Sequence, residues 1–155
     1  MPGRIDARLK ELKIELPNAS APAANYVPYV HTGNLLFMAG QVCQWNGERR
    51  FIGKLGREFT IEQGQEAARL CGLNLLAQAK AALGGDLDRI VRCVRLGGFV
   101  NSTADFLEQP RVVNGASDLM VEILGDAGRH ARTAIGTNVL PFDLAVEVDA
   151  VFEVK

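Results

Sequence analysis

The apolar positions along the chain follow two periods. NLLFMAGQV, Asn34 to Val42, is almost continuously apolar and predicts a strand covered on both faces. RIVRCVRLGGFV, Arg89 to Val100, predicts another strand, with Gly97-Gly98 marking a bulge or a close backbone approach. Between them the period becomes helical: Ala68, Cys71, Leu75, Ala79 and Ala82 form one stripe. Thr60-Ile61-Glu62-Gln63 reads as a capping box opening that helix, and Gly84-Gly85 stops it. A later helix begins near Pro110, buries Val113, Ala116, Met120 and Ile123, and ends at Gly125. A short amphipathic helix, roughly Ile5 to Leu12, precedes the small-residue linker PNASAPAAN, and Asn46-Gly47 in WNGERRF signals a hairpin turn. The final stretch, GRHARTAIGTNVLPFDLAVEVDAVFEVK from Gly128, predicts a second hairpin turning at Pro141-Phe142. Hairpin, helix, strand, helix, hairpin is an α+β order. Both helices follow strands, so right-handed crossovers place them on one face of one sheet in a two-layer domain.

Parity along the last strand sharpens this picture. Val146, Val148, Ala150, Phe152 and Val154 point one way, toward the helices, while Glu147, Asp149, Val151 and Glu153 point the other. On the preceding strand Ile135 and Val139 are the core candidates. That choice puts Arg132 on the open face with Glu147 and Asp149, with Ala134 opposite Asp149 and Gly136 opposite Glu147. A charged open face conflicts with a strand that requires cover on both sides. Packing of open faces in an oligomer resolves the conflict and leaves the charges in a cleft between subunits. A plain cross-strand ion pair of Arg132 with Glu147 or Asp149, worth roughly 0.2–1 kcal/mol, accounts for the charges equally well.

Composition adds mainly exclusions. The 155 residues fit one domain, residues 1–155, with enough core to fold without disulfides or metals. The net charge is -1 with no Lys/Arg run, so neither nucleic acid nor an anionic membrane is an expected partner. Apolar runs are too short to span a bilayer, and the charged N-terminus lacks a signal-peptide core, which predicts a cytoplasmic protein. Cys43, Cys71 and Cys93 show no CxxC spacing and read as reduced thiols. With only His31 and His130 besides, no metal site is expected.

Several motifs together resemble the YjgF-type family of reactive-intermediate (enamine/imine) deaminases, also labelled endoribonuclease L-PSP. They are Arg132, then Leu140-Pro141, then VEVDA with Glu147, Asp149 and Ala150; Gly33-Asn34 followed by Gly40-Gln41; Tyr26; and Asn114. The resemblance runs from about Ala23 to the end of the chain. It implies a chorismate-mutase-like homotrimer with a cleft between each pair of subunits. It also implies that Arg132 binds a substrate carboxylate bidentately, a task its planar fork suits. By the same resemblance Glu147 positions and activates water, and Tyr26, Asn114, Gly40, Gln41 and the backbone at Ala134 line the site. The implied substrate is a small 2-enamine or 2-imino acid that water converts to a 2-keto acid and ammonia. No cofactor is needed, because the imine carbon is already electrophilic. Asp149 is expected to be structural.

The chain also departs from the family pattern. Asn25 rather than Gly-Pro precedes Tyr26, and Ala134 stands where Cys is common. An N-terminal extension of residues 1–20 and an insertion from Trp45 to Phe51 suggest a longer branch. His130 reads as a polar loop residue, Cys43 as a buried thiol, and Trp45 and Tyr29 as hairpin or subunit packing. Three functions compete: imine deaminase, non-catalytic carboxylate-binding trimer, and endoribonuclease. The last is weakest in a slightly acidic chain with 6% aromatic residues.

Overall fold

Five strands form one mixed sheet in the computed structural model, which describes residues 2–155. In chain order the elements are α1 (Arg4–Glu11), β1 (Tyr29–Thr32), β2 (Leu35–Val42), β3 (Gln44–Trp45), β4 (Glu48–Arg49), α2 (Ile61–Ala82), β5 (Ile90–Asn101), α3 (Gln109–Leu124), β6 (Ala131–Thr137) and β7 (Val146–Val154). The sheet runs β1-β2-β7-β5-β6, and β3 pairs with β4 apart from it. Helix α2 packs against β2 and β7, and α3 against β5 and β6.

Local signals explain the helices. The Thr60 hydroxyl accepts from the Gln63 amide at 3.2 Å, and the Gln63 side chain accepts from the Thr60 amide at 2.9 Å. Such a cap is worth about 1 kcal/mol. Gly84 and Gly85 both take positive φ, which ends α2 as its sequence predicts. Asn46 and Gly47 also take positive φ, turning β3 into β4. The N-terminal extension is part of the fold. Ile5 and Leu9 of α1 are buried, and the Arg4 and Ile5 amides donate to the Asp88 carboxylate at 2.7 and 2.8 Å.

The C-terminal hairpin does not exist. Strand β5 lies between β6 and β7, parallel to β6 and antiparallel to β7. Two features favour this order. The β5–α3–β6 crossover sets β6 beside β5. The apolar set of β7, buried throughout, then fills the centre, while β6 has little to bury and takes the edge. Facing strands therefore align through β5. Glu147 shares a row with Phe99 and Ile135, and Asp149 with Gly97 and Thr133. Arg132 shares its row with Leu96 and Ala150, both buried against the helices. Arg132 thus lies on the helix side, opposite Glu147 and Asp149, and the same-face expectation fails together with the Ala134–Asp149 and Gly136–Glu147 pairings. Ile135 and Val139 are 46% and 56% exposed and are not core. The helix-facing positions of β6 are small because α3 is close: a Cβ on Gly136 would lie 2.8 Å from Gln109 Nε2.

Gly97-Gly98 is a close approach rather than a bulge. A Cβ at 97 would lie 2.4 Å from Asp149 Oδ1, and one at 98 would lie 2.6 Å from Val113. The bulges in β5 fall nearer its start, between Ile90 and Arg92 and between Cys93 and Arg95. Leu36 and Met38 of β2 are buried, yet Phe37 is 44% exposed, so this chain covers only one face of that strand. Val30 and Phe37 pair on the uncovered face, and Ile135 shares it. Among the described residues no helix is long and apolar enough to cross a membrane.

Candidate functional site

Glu147 sits where the β2–β7 ladder is interrupted. Pairing skips from Met38 to Gln41, a bulge that leaves Ala39 and Gly40 without β7 partners. The Glu147 carboxyl occupies the opening, 3.0 Å from where a Cβ on Gly40 would stand. Any larger residue at 40 would push that carboxyl away. A cleft of about 580 Å³ adjoins it, lined among others by Tyr26, Gly40, Gln41, Val42, Phe142 and Glu147. The Glu147 side chain accepts no hydrogen bond from the described residues. Burial, and secondarily the charge of Asp149, raises its pKa above the ordinary glutamate value. Asp149 has its own partner, Arg95 Nη1 at 3.4 Å, and Arg95 Nη2 also donates to Thr133 Oγ1 at 3.2 Å. The glycine at 97 leaves room for both side chains.

Arg132 occupies a second position, on the free edge of β6. Its Nη1 donates to Asn114 Oδ1 at 2.8 Å and to Ser117 Oγ at 3.2 Å, and its Nη2 donates to the Pro110 carbonyl at 3.2 Å. These bonds leave Nε–H and one Nη2–H without a partner among the described residues, donors that a carboxylate can take. No carboxylate pairs with Arg132 among the described residues, so neither Glu147 nor Asp149 is its ion-pair partner. The support extends further. His130 Nδ1 lies 2.6 Å from the Gly128 carbonyl, which can only accept, so Nδ1 carries the proton. In the neutral ring Nε2 then accepts from the Ser117 hydroxyl at 2.9 Å, which orients the Ser117 lone pairs toward Arg132.

The residues named from sequence thus form two groups. Tyr26, Gly40, Gln41 and Glu147 line one cleft. Asn114 and Arg132 are hydrogen-bonded to each other on the other side of the sheet, with Ala134 two residues along β6. Among the described residues, nothing within one chain joins the groups. Cys43 is fully buried, its Sγ donating to the Arg50 carbonyl at 3.1 Å. His130 lies in the loop before β6, with both ring nitrogens engaged.

Sequence reasoning missed Ser117, whose link to Arg132 and His130 spans a helix and an edge strand. It also missed the Phe142 ring, with the Arg49 guanidinium carbon 3.5 Å from its centroid. Arg49 and Phe142 both line the cleft. Phe142 and Asp143 both take positive φ, a strained conformation for consecutive non-glycine residues. Asn101 holds that turn through Nδ2 contacts to Asp143 Oδ1 at 2.8 Å and to the Gly53 and Leu144 carbonyls at 3.1 and 3.2 Å.

Comparison with known proteins identifies what the chain is similar to. Residues 6–153 match the model of the family described as "YjgF/chorismate mutase-like, putative endoribonuclease". Protein TCP17 of Trypanosoma cruzi is 50% identical over 154 residues, covering 99% of this chain and 96% of that protein. The crystal structure of Atu1372, a protein of unknown function from Agrobacterium tumefaciens, superposes with a TM-score of 0.91 at 48% identity, over 97% of this chain and 92% of that one. A "putative endoribonuclease" from Shewanella oneidensis superposes at 0.94 with 37% identity, over 98% of this chain and all (100%) of its own.

Proposed function

Because the chain belongs to the YjgF/chorismate mutase-like family, we propose that it hydrolyses reactive 2-imino or 2-enamine acids to 2-keto acids and ammonia in clefts shared between copies of a homotrimer. The observation that carries this reading is Glu147: a half-buried carboxylate of raised pKa, without a hydrogen-bond partner, at the wall of a cleft. A general base works best when its pKa approaches the working pH. On the protonated imine, Glu147 takes a proton from water as the oxygen bonds to the imine carbon, giving a neutral carbinolamine. That proton passes to the nitrogen, the C–N bond breaks as ammonia leaves, and the hydroxyl proton goes to Glu147 as the carbonyl of the 2-keto acid forms. Arg132 of a neighbouring copy holds the substrate carboxylate on its remaining N–H donors.

Trimer formation also accounts for the uncovered sheet face with Val30, Phe37 and Ile135, which would otherwise be an exposed apolar patch. It accounts as well for a site whose two groups no single chain joins. The endoribonuclease name carried by the Shewanella relative finds little support in this composition, with a net charge of -1 and 6% aromatic residues.

The test is decay of a 2-imino acid released by a PLP-dependent dehydratase, followed with and without this protein. Acceleration is expected, and Glu147→Gln should lower it by about 10²–10⁴-fold while ligand affinity is nearly retained. Tight keto-acid binding with no acceleration by the wild-type protein would replace the catalyst with a carboxylate-binding regulator.

A further inference from the structure

The cleft beside Glu147 is larger than its family motifs explain. Two segments that flank those motifs complete its walls: residues 20–24, after α1, and the β3–β4 hairpin with Gln44, Gly47 and Arg49. They are fastened to each other and to α2. Gln44 Nε2 donates to Ser20 Oγ at 3.2 Å, Gln78 Nε2 donates to the Ser20 carbonyl at 2.7 Å, and the Asn18 amide donates to Asn46 Oδ1 at 2.7 Å. The extension and the insertion therefore act as one added wall.

That wall brings a cation. Arg49 and Glu147 are the charged side chains lining the cleft. Arg49 makes no ion pair or side-chain hydrogen bond among the described residues, whereas its neighbour Arg50 lies 3.7 Å from Glu48. What holds Arg49 is the Phe142 ring, 3.5 Å from its guanidinium carbon. An aromatic platform fixes the plane of a guanidinium while leaving its edge donors free. The platform is itself held in place: positive φ at Phe142 and Asp143, locked by Asn101, keeps the ring at the cleft wall.

We infer that Arg49 is a specificity-determining residue that receives a second carboxylate, at the far end of the substrate, so that the preferred substrates are dicarboxylic 2-imino acids. This rests on the function proposed above, which assigns the α-carboxylate to Arg132. A monocarboxylate would leave the Arg49 fork empty; a dicarboxylate places one anionic group on each arginine and leaves the imine carbon to Glu147. A cleft of about 580 Å³ accommodates the longer molecule.

The experiment uses the stable keto-acid products as probes: 2-oxoglutarate against 2-oxobutyrate, by calorimetry, on wild type, Arg49→Ala and Arg49→Lys. The wild-type protein should favour 2-oxoglutarate by about tenfold or more, the contribution of a charge-assisted pair. Arg49→Ala should level the two affinities, and Arg49→Lys should restore part of the preference, since an ammonium lacks the fork. Equal affinities in wild type, or a preference that survives Arg49→Ala, overturns the inference. So does a loss of the oligomer in Arg49→Ala by sedimentation, which would make Arg49 a tie between subunits. Imine hydrolysis by the same preparations separates the two levels. Hydrolysis without dicarboxylate preference removes the inference and keeps the proposed function. An Arg49-dependent preference without hydrolysis does the reverse, and failure of both keto acids to bind removes both.

Discussion

At the bulge between β2 and β7 the Glu147 carboxylate is half-buried, near the charge of Asp149, and accepts no hydrogen bond. At the edge of β6 the Arg132 guanidinium donates to three acceptors on α3, one of them a serine that a histidine orients in turn. The two sites handle charge in opposite ways. The environment of Glu147 does little to stabilise its ionised form, which raises its proton affinity. The environment of Arg132 satisfies part of its hydrogen bonding with neutral acceptors and leaves the positive charge without a counter-ion. Arg132 has its direction fixed and its charge available; Glu147 has its basicity raised. The first arrangement suits recognition of an anion and the second suits proton transfer.

Because no single chain joins them, the comparison is broken most directly by separating the two residues genetically. Glu147→Gln and Arg132→Ala should each leave almost no imine hydrolysis as pure proteins. Mixed by unfolding and refolding together, they should regain about a quarter of wild-type activity. In a cyclic trimer each cleft draws one residue from each of two copies, and random assembly pairs two intact halves in about one cleft in four. Rates of the pure proteins and the mixture check this. No recovery, in a mixture shown by sedimentation to reassemble, would place both residues' work within one chain and remove the shared cleft.

A smaller effect tests the support of Arg132. Arg132→Ala should weaken binding of a keto acid by roughly tenfold to a hundredfold, the range for hydrogen bonds to charged groups. Ser117→Ala removes one acceptor and unlinks His130 while leaving Asn114 and the Pro110 carbonyl in place. It should weaken binding only a few-fold, on the order of a neutral hydrogen bond. Calorimetry of both variants against one keto acid checks the ranking. A Ser117→Ala loss as large as that of Arg132→Ala would mean that the serine contacts the ligand itself.

The contrast between the two sites also tracks what could be read from the sequence. The capping box at Thr60, the glycine stop of α2 and the Asn46-Gly47 turn are encoded by adjacent residues, and they appear where the sequence puts them. The alternation of β7 was equally legible, because every second residue is buried. The position of β6 was not, because insertion of β5 between two sequential strands is a long-range choice that no local signal carries. Parity on β6 failed for a related reason. Ile135 of β6 and Val139 beyond it are exposed, whereas Ala134, on the side facing α3, is partly buried against the core. The position of Glu147 beside Gly40 follows from β7 parity and one bulge. The Ser117–His130 support and the Arg49–Phe142 stack depend on tertiary neighbours and on positive φ at non-glycine residues, for which the sequence holds no marker.

The smallest expected effect concerns stability, and its sign follows from Glu147 alone. Its folded-state pKa is raised, chiefly by burial, while the unfolded chain returns it to the ordinary glutamate value. Between those two values the folded state holds the proton and the unfolded state does not, so folding stability falls as pH rises through that window. Above it, the ionised carboxylate is a standing penalty on the fold. Glu147→Gln replaces the carboxylate with a neutral group of nearly the same shape. It should therefore melt at a higher temperature than wild type at pH 7, with the gap closing as pH falls toward the unfolded value. Asp88 provides the opposite sign within the same chain. The amides of Ile5 and Arg4 lower its pKa, so its contribution is present above the ordinary aspartate value and is lost as pH falls through its folded one. Asp88→Asn keeps one acceptor oxygen for the two amides and replaces the other with a donor, so it should be less stable than wild type at pH 7, with the difference shrinking in acid. Thermal melts of the three proteins from about pH 8 down to about pH 2, below the ordinary aspartate value, check both signs. A Glu147→Gln protein less stable than wild type at pH 7 would mean that the carboxylate is held by donors from another copy, and the picture of an unpaired, reactive base would have to be given up.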